Sequence, residues 1–221
     1  MAAAGVAWAI VVPVKRLAVA KSRLLVPPAL RRDLALAMAL DSVRAALACP
    51  LVSAVVAVND DADATEQLQA LGARVVRDEP DAGLNSALVH GAAELSRAVA
   101  VSGGVAALSA DLPALRPAEL AAVLAAASGA DGAIVADASG TGTTLLMAGP
   151  GAPFRPAFGA DSRAAHVAAG ALDLTGIAGP SLRRDVDTLA DLRTAHLLGC
   201  GPATTAVVER NPDLVGEPTT G

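Results

Sequence analysis

Apolar, strand-like runs rich in Val, Ile and Ala alternate with stretches of helical periodicity through most of this 221-residue chain, and that alternation leaves few folds open. The runs are Trp8 to Val14, Val52 to Val58, Ala73 to Val76, Val105 to Ala110, Gly132 to Val135 and Thr143 to Met147. Helical patterns fall between them at Pro28 to Ala48, Ala62 to Leu71, Asn85 to Ala98 and Pro117 to Ala127, the last with Pro in its first turn. Strand followed by helix, repeated, predicts an α/β fold with a mostly parallel, doubly wound sheet. After residue 137 the alternation changes to a Gly/Thr turn, a short strand, a Pro-rich loop and a helix near Ser162 to Ala169. That segment reads as a substrate-binding insertion built on the same sheet, within a single domain spanning residues 1–205. Residues 206–221 read as a flexible C-terminal tail.

With 53% hydrophobic and 18% charged residues, the chain can bury a core, but it has only two Phe, one Trp and no Tyr. Such a core is made of Ala, Val and Leu, and base-stacking recognition of single strands lacks its aromatics. A net charge of -5 and a pI near 5.1 also argue against a nucleic-acid partner. The apolar run Ala2 to Val14 has its charges, Lys15 and Arg16, after it and not before it, which favours a strand over a signal peptide. The charge-free stretch that ends at Phe154 is broken by Gly and Pro and too short to span a bilayer. The expectation is a soluble, cytoplasmic protein without a membrane partner. Cys49 and Cys200 lack metal or disulfide spacing, and His90, His166 and His196 are scattered at helical positions, where a surface or structural role is expected.

Carboxylates mark the chemistry. Asp111 ends the run Val105-Ala-Ala-Leu-Ser-Ala, and Asp185-Val-Asp187 places two acids at i and i+2, on one face of an extended segment with Val186 turned to the core. Open α/β sheets bind ligands at the carboxyl ends of their strands, and hard oxygen ligands gathered there suit Mg²⁺. Asp187 ahead of Thr188-Leu-Ala-Asp would serve equally as a helix N-cap.

Three loops complete the set. Pro13-Val-Lys15-Arg16 through Lys21-Ser-Arg23 is a compact cationic patch after the first strand, without the P-loop or GxGxxG pattern; it suits a triphosphate, and equally an ordinary basic surface loop. Gly83-Leu-Asn85-Ser86 joins a strand to a helix: Gly83 lets backbone approach a ligand and Asn85 offers donor and acceptor to a ribose or base, unless Asn85 or Ser86 simply caps the helix. Ser139-Gly-Thr-Gly-Thr143 and Phe158-Gly159-Ala-Asp-Ser162 expose backbone N–H groups and a Ser at a helix start, which favours an anion; a hairpin turn with a Ser cap is the alternative.

Taken in order, these motifs resemble the CofC/FbiD family of guanylyltransferases of coenzyme F420 biosynthesis. The matching pieces run from about residue 8 to 205: Pro13-x-Lys15, Ala20-Lys-Ser-Arg-Leu24, Gly83-Leu-Asn-Ser-Ala87, Asp111-Leu-Pro-Ala-Leu115, Gly140-Thr-Gly-Thr143, Phe158-Gly-Ala-Asp-Ser162 and Arg184-Asp-Val-Asp-Thr188. Ala160 departs from the pattern, which often has Pro. The resemblance implies a nucleotidyltransferase-like fold and transfer of GMP from GTP to phosphoenolpyruvate, with 2-phospho-L-lactate or 3-phosphoglycerate as the alternative acceptor. It implies one or two Mg²⁺ ions on Asp111, Asp185 and Asp187, and acceptor contacts at Thr143, Gly159 and Ser162. Lys15, Lys21 and Arg23 would neutralise the leaving pyrophosphate, Pro13, Gly83 and Asn85 would complete the nucleotide site, and the product would pass to the next transferase of the pathway. A molybdopterin or sugar nucleotidyltransferase is disfavoured, since such enzymes open with a Gly-rich loop. A non-catalytic nucleotide-binding module is the reading from another class, and the retained acids argue against it.

Overall fold

The structure is a computed structural model, and it describes residues 7–14, 23–79, 81–98 and 102–216. In chain order its elements are β1 (Trp8–Pro13), α1 (Pro28–Leu47), β2 (Val52–Val58), α2 (Ala62–Ala70), β3 (Arg74–Val76), α3 (Leu84–Ala98), β4 (Val105–Leu108), α4 (Pro117–Ala126), β5 (Gly132–Ala136), β6 (Thr143–Ala148), α5 (Ser162–Ala168), β7 (Leu172–Asp173), α6 (Pro180–Arg183), α7 (Leu189–Leu198) and α8 (Pro202–Arg210). Each expected strand and helix is present, with boundaries moved by a residue or two. Proline opens α1, α4, α6 and α8, where its missing N–H costs no intrahelical bond.

The strands form one sheet in the order β3-β2-β1-β4-β6-β5-β7. Strands β3, β2, β1 and β4 are parallel, β6 runs against both β4 and β5, and β7 is parallel to β5. The order reverses between β1 and β4, so their carboxyl ends diverge into a crevice. Because β6 is reversed, its amino end, at Thr143, comes to the same edge. This is how a hydroxyl 32 residues beyond Asp111 becomes its neighbour along the sheet.

Both faces of the sheet are covered. In β1 the side chains of Trp8, Ile10 and Val12 enter a core with Ala39 and Val43 of α1 and Leu120 and Leu124 of α4. Ala9 and Val11 point the other way, against Ala87, Leu88 and Leu95 of α3. That alternation is the two-residue period of a strand buried on both sides. With few aromatics, the layers approach closely: a Cβ on Gly91 of α3 would stand 2.6 Å from Val11 Cγ1 and 2.7 Å from Val58 Cγ2. Only glycine fits there without a shift of α3 or of the two valine side chains.

The tail expected from residue 206 is replaced, as far as residue 216, by ordered structure. Helix α8 continues to Arg210, a 3-10 turn follows at Pro212–Leu214, and Val207, Val208 and Leu214 are buried against Leu34 and Met38 of α1. Buried Asp41 of α1 fixes this packing by accepting the N–H groups of Ala203 (3.0 Å) and Thr204 (2.8 Å), capping α8 from another helix. Among the described residues no helix is long and apolar enough to cross a membrane.

Candidate active site

A cleft of about 610 Å³ opens at the β1/β4 crevice, within the size range of small-molecule sites. Following the sheet order, Pro13 at the end of β1 marks its first side, Asp111 past β4 its floor and Thr143 at the start of β6 its far side; Arg23, Asp185, Asp187, Gly159 and Ser162 also line it. Residues from places 174 positions apart in sequence thus share one cavity.

Local bonding explains how the acids arrive there. After β4 the chain turns, and the Leu112 N–H donates to Ser42 Oγ at 3.0 Å while the Leu112 side chain is fully buried. Asp111 is thereby held at the sheet edge. The second pair is delivered by α6, where Thr144 Oγ1 donates to the Leu182 carbonyl at 2.8 Å and Arg183 donates to the carbonyls of Ala136 and Asp137 at 3.2 and 2.9 Å. The chain then crosses to Asp111, whose carbonyl accepts the Val186 N–H at 3.1 Å. Val186 is fully buried between two acids that line the cleft, the i, i+2 arrangement expected from sequence. Asp187 is not a helix cap: Thr188 holds that position in α7, in a reciprocal capping box with Asp191. Arg23 lies 3.7 Å from Asp187, both being solvent-accessible.

A fourth acid escaped sequence reasoning. Asp137, also lining the cleft, follows β5, and its Oδ1 accepts the N–H groups of Gly140, Thr141 and Gly142 at 2.8, 3.1 and 3.0 Å. The glycine-rich turn expected to present its N–H groups to a ligand presents them instead to the chain's own carboxylate. Gly142 is required, since a Cβ there would lie 2.6 Å from Asp137 Oδ2. A hairpin joining β5 to β6, the plainer of the two sequence readings, is what forms.

Crowding has an electrostatic consequence. The Asp185 carboxyl is pushed from 3.8 up to about 7, first by burial and then by Asp111, Asp137 and Asp187. Such a group calls for a positive charge beside it. Among the described residues no three His, Cys, Asp or Glu side chains would by themselves hold a metal ion. A cation beside Asp111 and Asp185 would supply that charge and would need further ligands from outside these side chains.

The far side is tied down from several directions. Gly159 has φ +143, and Asp161, in the N-cap position of α5, has φ +53. Ser162 is thus the first residue of α5 and not its cap; it is almost fully buried and lines the cleft. Asn85 does not line the cleft. Its Nδ2 donates to the Phe158 carbonyl at 3.0 Å and its Oδ1 accepts the Phe158 N–H at 2.8 Å. The amide expected to read a ribose or base is spent holding the Gly159 loop, and it caps no helix because α3 already starts at Leu84. Gly83, at φ +95, shapes the entry to α3 and also lies outside the cleft lining. Lys15 and Lys21 lie outside the described residues.

His166 was another residue sequence reasoning left aside. It is buried, its Nδ1 is 3.1 Å from Thr143 Oγ1, its Nε2 accepts the Ala157 N–H at 2.9 Å, and its ring meets Phe158 edge to face at 5.4 Å. The only hint in the sequence was its place four residues after Ser162, one helical turn along.

The chain resembles known proteins in both sequence and fold. Residues 8–171 match the family described as guanylyl transferase CofC like. The chain belongs to the CofC family. A relative from Thermomonospora curvata named phosphoenolpyruvate guanylyltransferase is 57% identical over 206 residues, spanning 93% of this chain and 90% of its own. A relative of the same name from Streptomyces coelicolor is 59% identical over 205 residues, spanning 92% and 96%. Among solved structures, a nucleotidyl transferase from Methanothermobacter thermautotroptrophicus superposes with a TM-score of 0.60 at 20% identity, covering 88% of this CofC chain and 98% of its own. A protein of Desulfovibrio desulfuricans superposes with a TM-score of 0.69 at 17% identity, covering 96% and 97%. At such identities these two establish the nucleotidyltransferase-like fold alone.

Proposed function

We propose that this protein is a guanylyltransferase that moves GMP from GTP to phosphoenolpyruvate, giving enolpyruvoyl-2-diphospho-5'-guanosine and pyrophosphate, in coenzyme F420 biosynthesis. The observation that carries the reading is the shared cleft: the acids Asp111, Asp185 and Asp187 and the hydroxyl-bearing side of Thr143, Gly159 and Ser162 face one cavity in a chain of the CofC family. Its relatives at 57% and 59% identity carry the phosphoenolpyruvate name.

In the reaction, a phosphate oxygen of the acceptor bonds to the α-phosphorus of GTP as the bond from that phosphorus to the β-bridging oxygen breaks. Pyrophosphate leaves with the electron pair. The acceptor phosphate is already ionised at neutral pH, so no general base is needed, and the protein's work is alignment and charge neutralisation. A divalent cation held by Asp111 and Asp185, with Asp187 beside them, would neutralise phosphate charge at the reacting centre. Arg23, with Lys15 and Lys21, would stabilise the departing pyrophosphate. Pro13 would border the nucleotide, while Thr143, Ser162 and the Gly159 backbone would hold the acceptor.

Purified protein with GTP, Mg²⁺ and phosphoenolpyruvate should release pyrophosphate, with the labile diphosphate product captured by the next transferase of the pathway and identified by mass. 2-Phospho-L-lactate and 3-phosphoglycerate should be poorer acceptors. Release with none of the three would defeat the reading and favour a nucleotide-binding module. Ser162→Ala should raise the acceptor KM far more than the GTP KM.

A further inference from the structure

We propose that His166 is a positioning residue for the acceptor: it is a neutral imidazole whose Nδ1–H is donated to the Thr143 hydroxyl, turning that hydroxyl's own proton toward the cleft. The inference rests on Thr143 belonging to the acceptor side.

The argument is one of hydrogen-bond direction. A backbone N–H can only donate, so Ala157, 2.9 Å from Nε2, requires that nitrogen to be unprotonated. An imidazole with a bare Nε2 carries its proton on Nδ1. The partner at 3.1 Å from Nδ1 is Thr143 Oγ1, which must therefore accept. Protonating the ring would set an N–H against the Ala157 N–H, and burial already holds the His166 pKa below its ordinary value. Phe158, edge-on at 5.4 Å, and a residue exposure of 2% leave the ring no room to flip freely.

A threonine hydroxyl is ambiguous by nature, since it donates one proton and accepts on two lone pairs. Once it accepts from His166, its remaining capacity includes its only proton, and Thr143 lines the cleft. A phosphorylated carboxylic acid presents oxygens that only accept when ionised. A hydroxyl committed to donating suits such an anion and needs no reorganisation as it binds. The same ring ties the strand end at Thr143 to the loop at Ala157, so the donor and the Gly159 backbone are placed by one side chain.

Two near-isosteres separate the two bonds. His166→Asn keeps an amide where Nδ1 stood and can still donate to Thr143; His166→Gln places its amide oxygen where Nε2 stood and can still accept from Ala157. We expect His166→Gln to raise the acceptor KM about tenfold, the worth of one hydrogen bond, with the GTP KM within about twofold. His166→Asn should stay closer to wild type in acceptor KM while losing thermal stability. Thr143→Val should match His166→Gln, and the double variant should be no worse than Thr143→Val alone, because both remove one interaction. Nitrogen-15 spectra of the wild-type imidazole, which need no turnover, should show the neutral Nδ1–H tautomer at pH 7. An Nε2–H tautomer or an imidazolium there overturns the inference, as do effects that multiply in the double variant or raise both KM values together. Wild-type protein inert toward every acceptor would instead defeat the acceptor reading itself, whereas an active enzyme without the KM split defeats only the role of His166.

Discussion

Replacing Asp185 with Asn should stabilise the metal-free protein while abolishing turnover. A carboxyl whose pKa rises from 3.8 in the unfolded chain to about 7 in the folded one binds its proton more tightly when folded. Its contribution to stability is fully present below pH 4 and is lost as pH climbs through 7. Each pH unit between those values is worth about 1.4 kcal/mol, which would total about 4 kcal/mol for a sealed site. Asp185 is half-buried beside an open cleft, so solvent screening reduces the expected penalty to about 1–2 kcal/mol. Asn keeps the shape and removes the charge that Asp111, Asp137 and Asp187 oppose.

The assay is thermal unfolding in a metal chelator from pH 5 to pH 8. For a chain of this length about 1 kcal/mol moves Tm by roughly 2–4 °C. The variant should therefore melt about 2–8 °C above wild type at pH 8, and the gap should shrink to less than about half by pH 5, because it closes fully only below the unfolded pKa of 3.8. Saturating Mg²⁺ should reverse the order, since an ion at a hundred times its Kd contributes about 2.7 kcal/mol to the protein that binds it. A variant that melts below wild type in chelator at pH 8 would refute the reasoning, because Asp185 would then stabilise the fold and not strain it.

Asp137→Ala leaves three loop N–H groups without their acceptor and should cost about 1–3 kcal/mol in chemical denaturation, whereas Asp137→Asn retains an acceptor oxygen and should cost less. Gly91→Ala should destabilise by about 1–3 kcal/mol despite the better helix propensity of Ala, because its methyl would overlap Val11 and Val58; a rise in Tm would show that α3 can move away from the sheet. Asp41→Ala should cost about 0.5–2 kcal/mol through loss of the α8 cap, and amide exchange in α8 should accelerate with it.

The framework was legible because its signals are local. Two-residue and 3.6-residue periods, and prolines at helix starts, need only near neighbours, so β1, α1 and α4 fell within a residue or two of their expected places. Asp111 was legible for a related reason, standing just past an apolar run, and Asp185 and Asp187 through their i, i+2 spacing; all three line the cleft. What stayed hidden depends on partners far along the chain. Asn85 is bonded to Phe158, 73 residues away, and Asp41 to Ala203, 162 away; neither pairing leaves a mark in the periodicity. Helix α8 was missed because its polar, Pro- and Gly-flanked sequence resembles a tail until α1 offers Val207 and Val208 a surface. The Ser139 to Gly142 turn misled most directly: a stretch rich in free N–H groups does announce an anion, and here the anion is Asp137.

These hidden contacts divide the labour of the proposed reaction between the two sides of the cleft. Four carboxylates stand on or near the floor, and two polyanionic substrates have to meet above them. Arg163 is not spare for either, since it is spent on Asp173 at 2.7–2.9 Å and on the Gly140 carbonyl at 3.1 Å. The groups proposed for the acceptor, Thr143, Ser162 and the Gly159 backbone, are neutral, so they can fix direction but not offset charge. Charge compensation must then come from the nucleotide side, through the cationic loop and an ion shared with the phosphates. On this reading the acceptor meets a favourable field only after GTP and its cation have occupied the acids, while the bonds from Asn85 and His166 keep the Gly159 loop in place meanwhile.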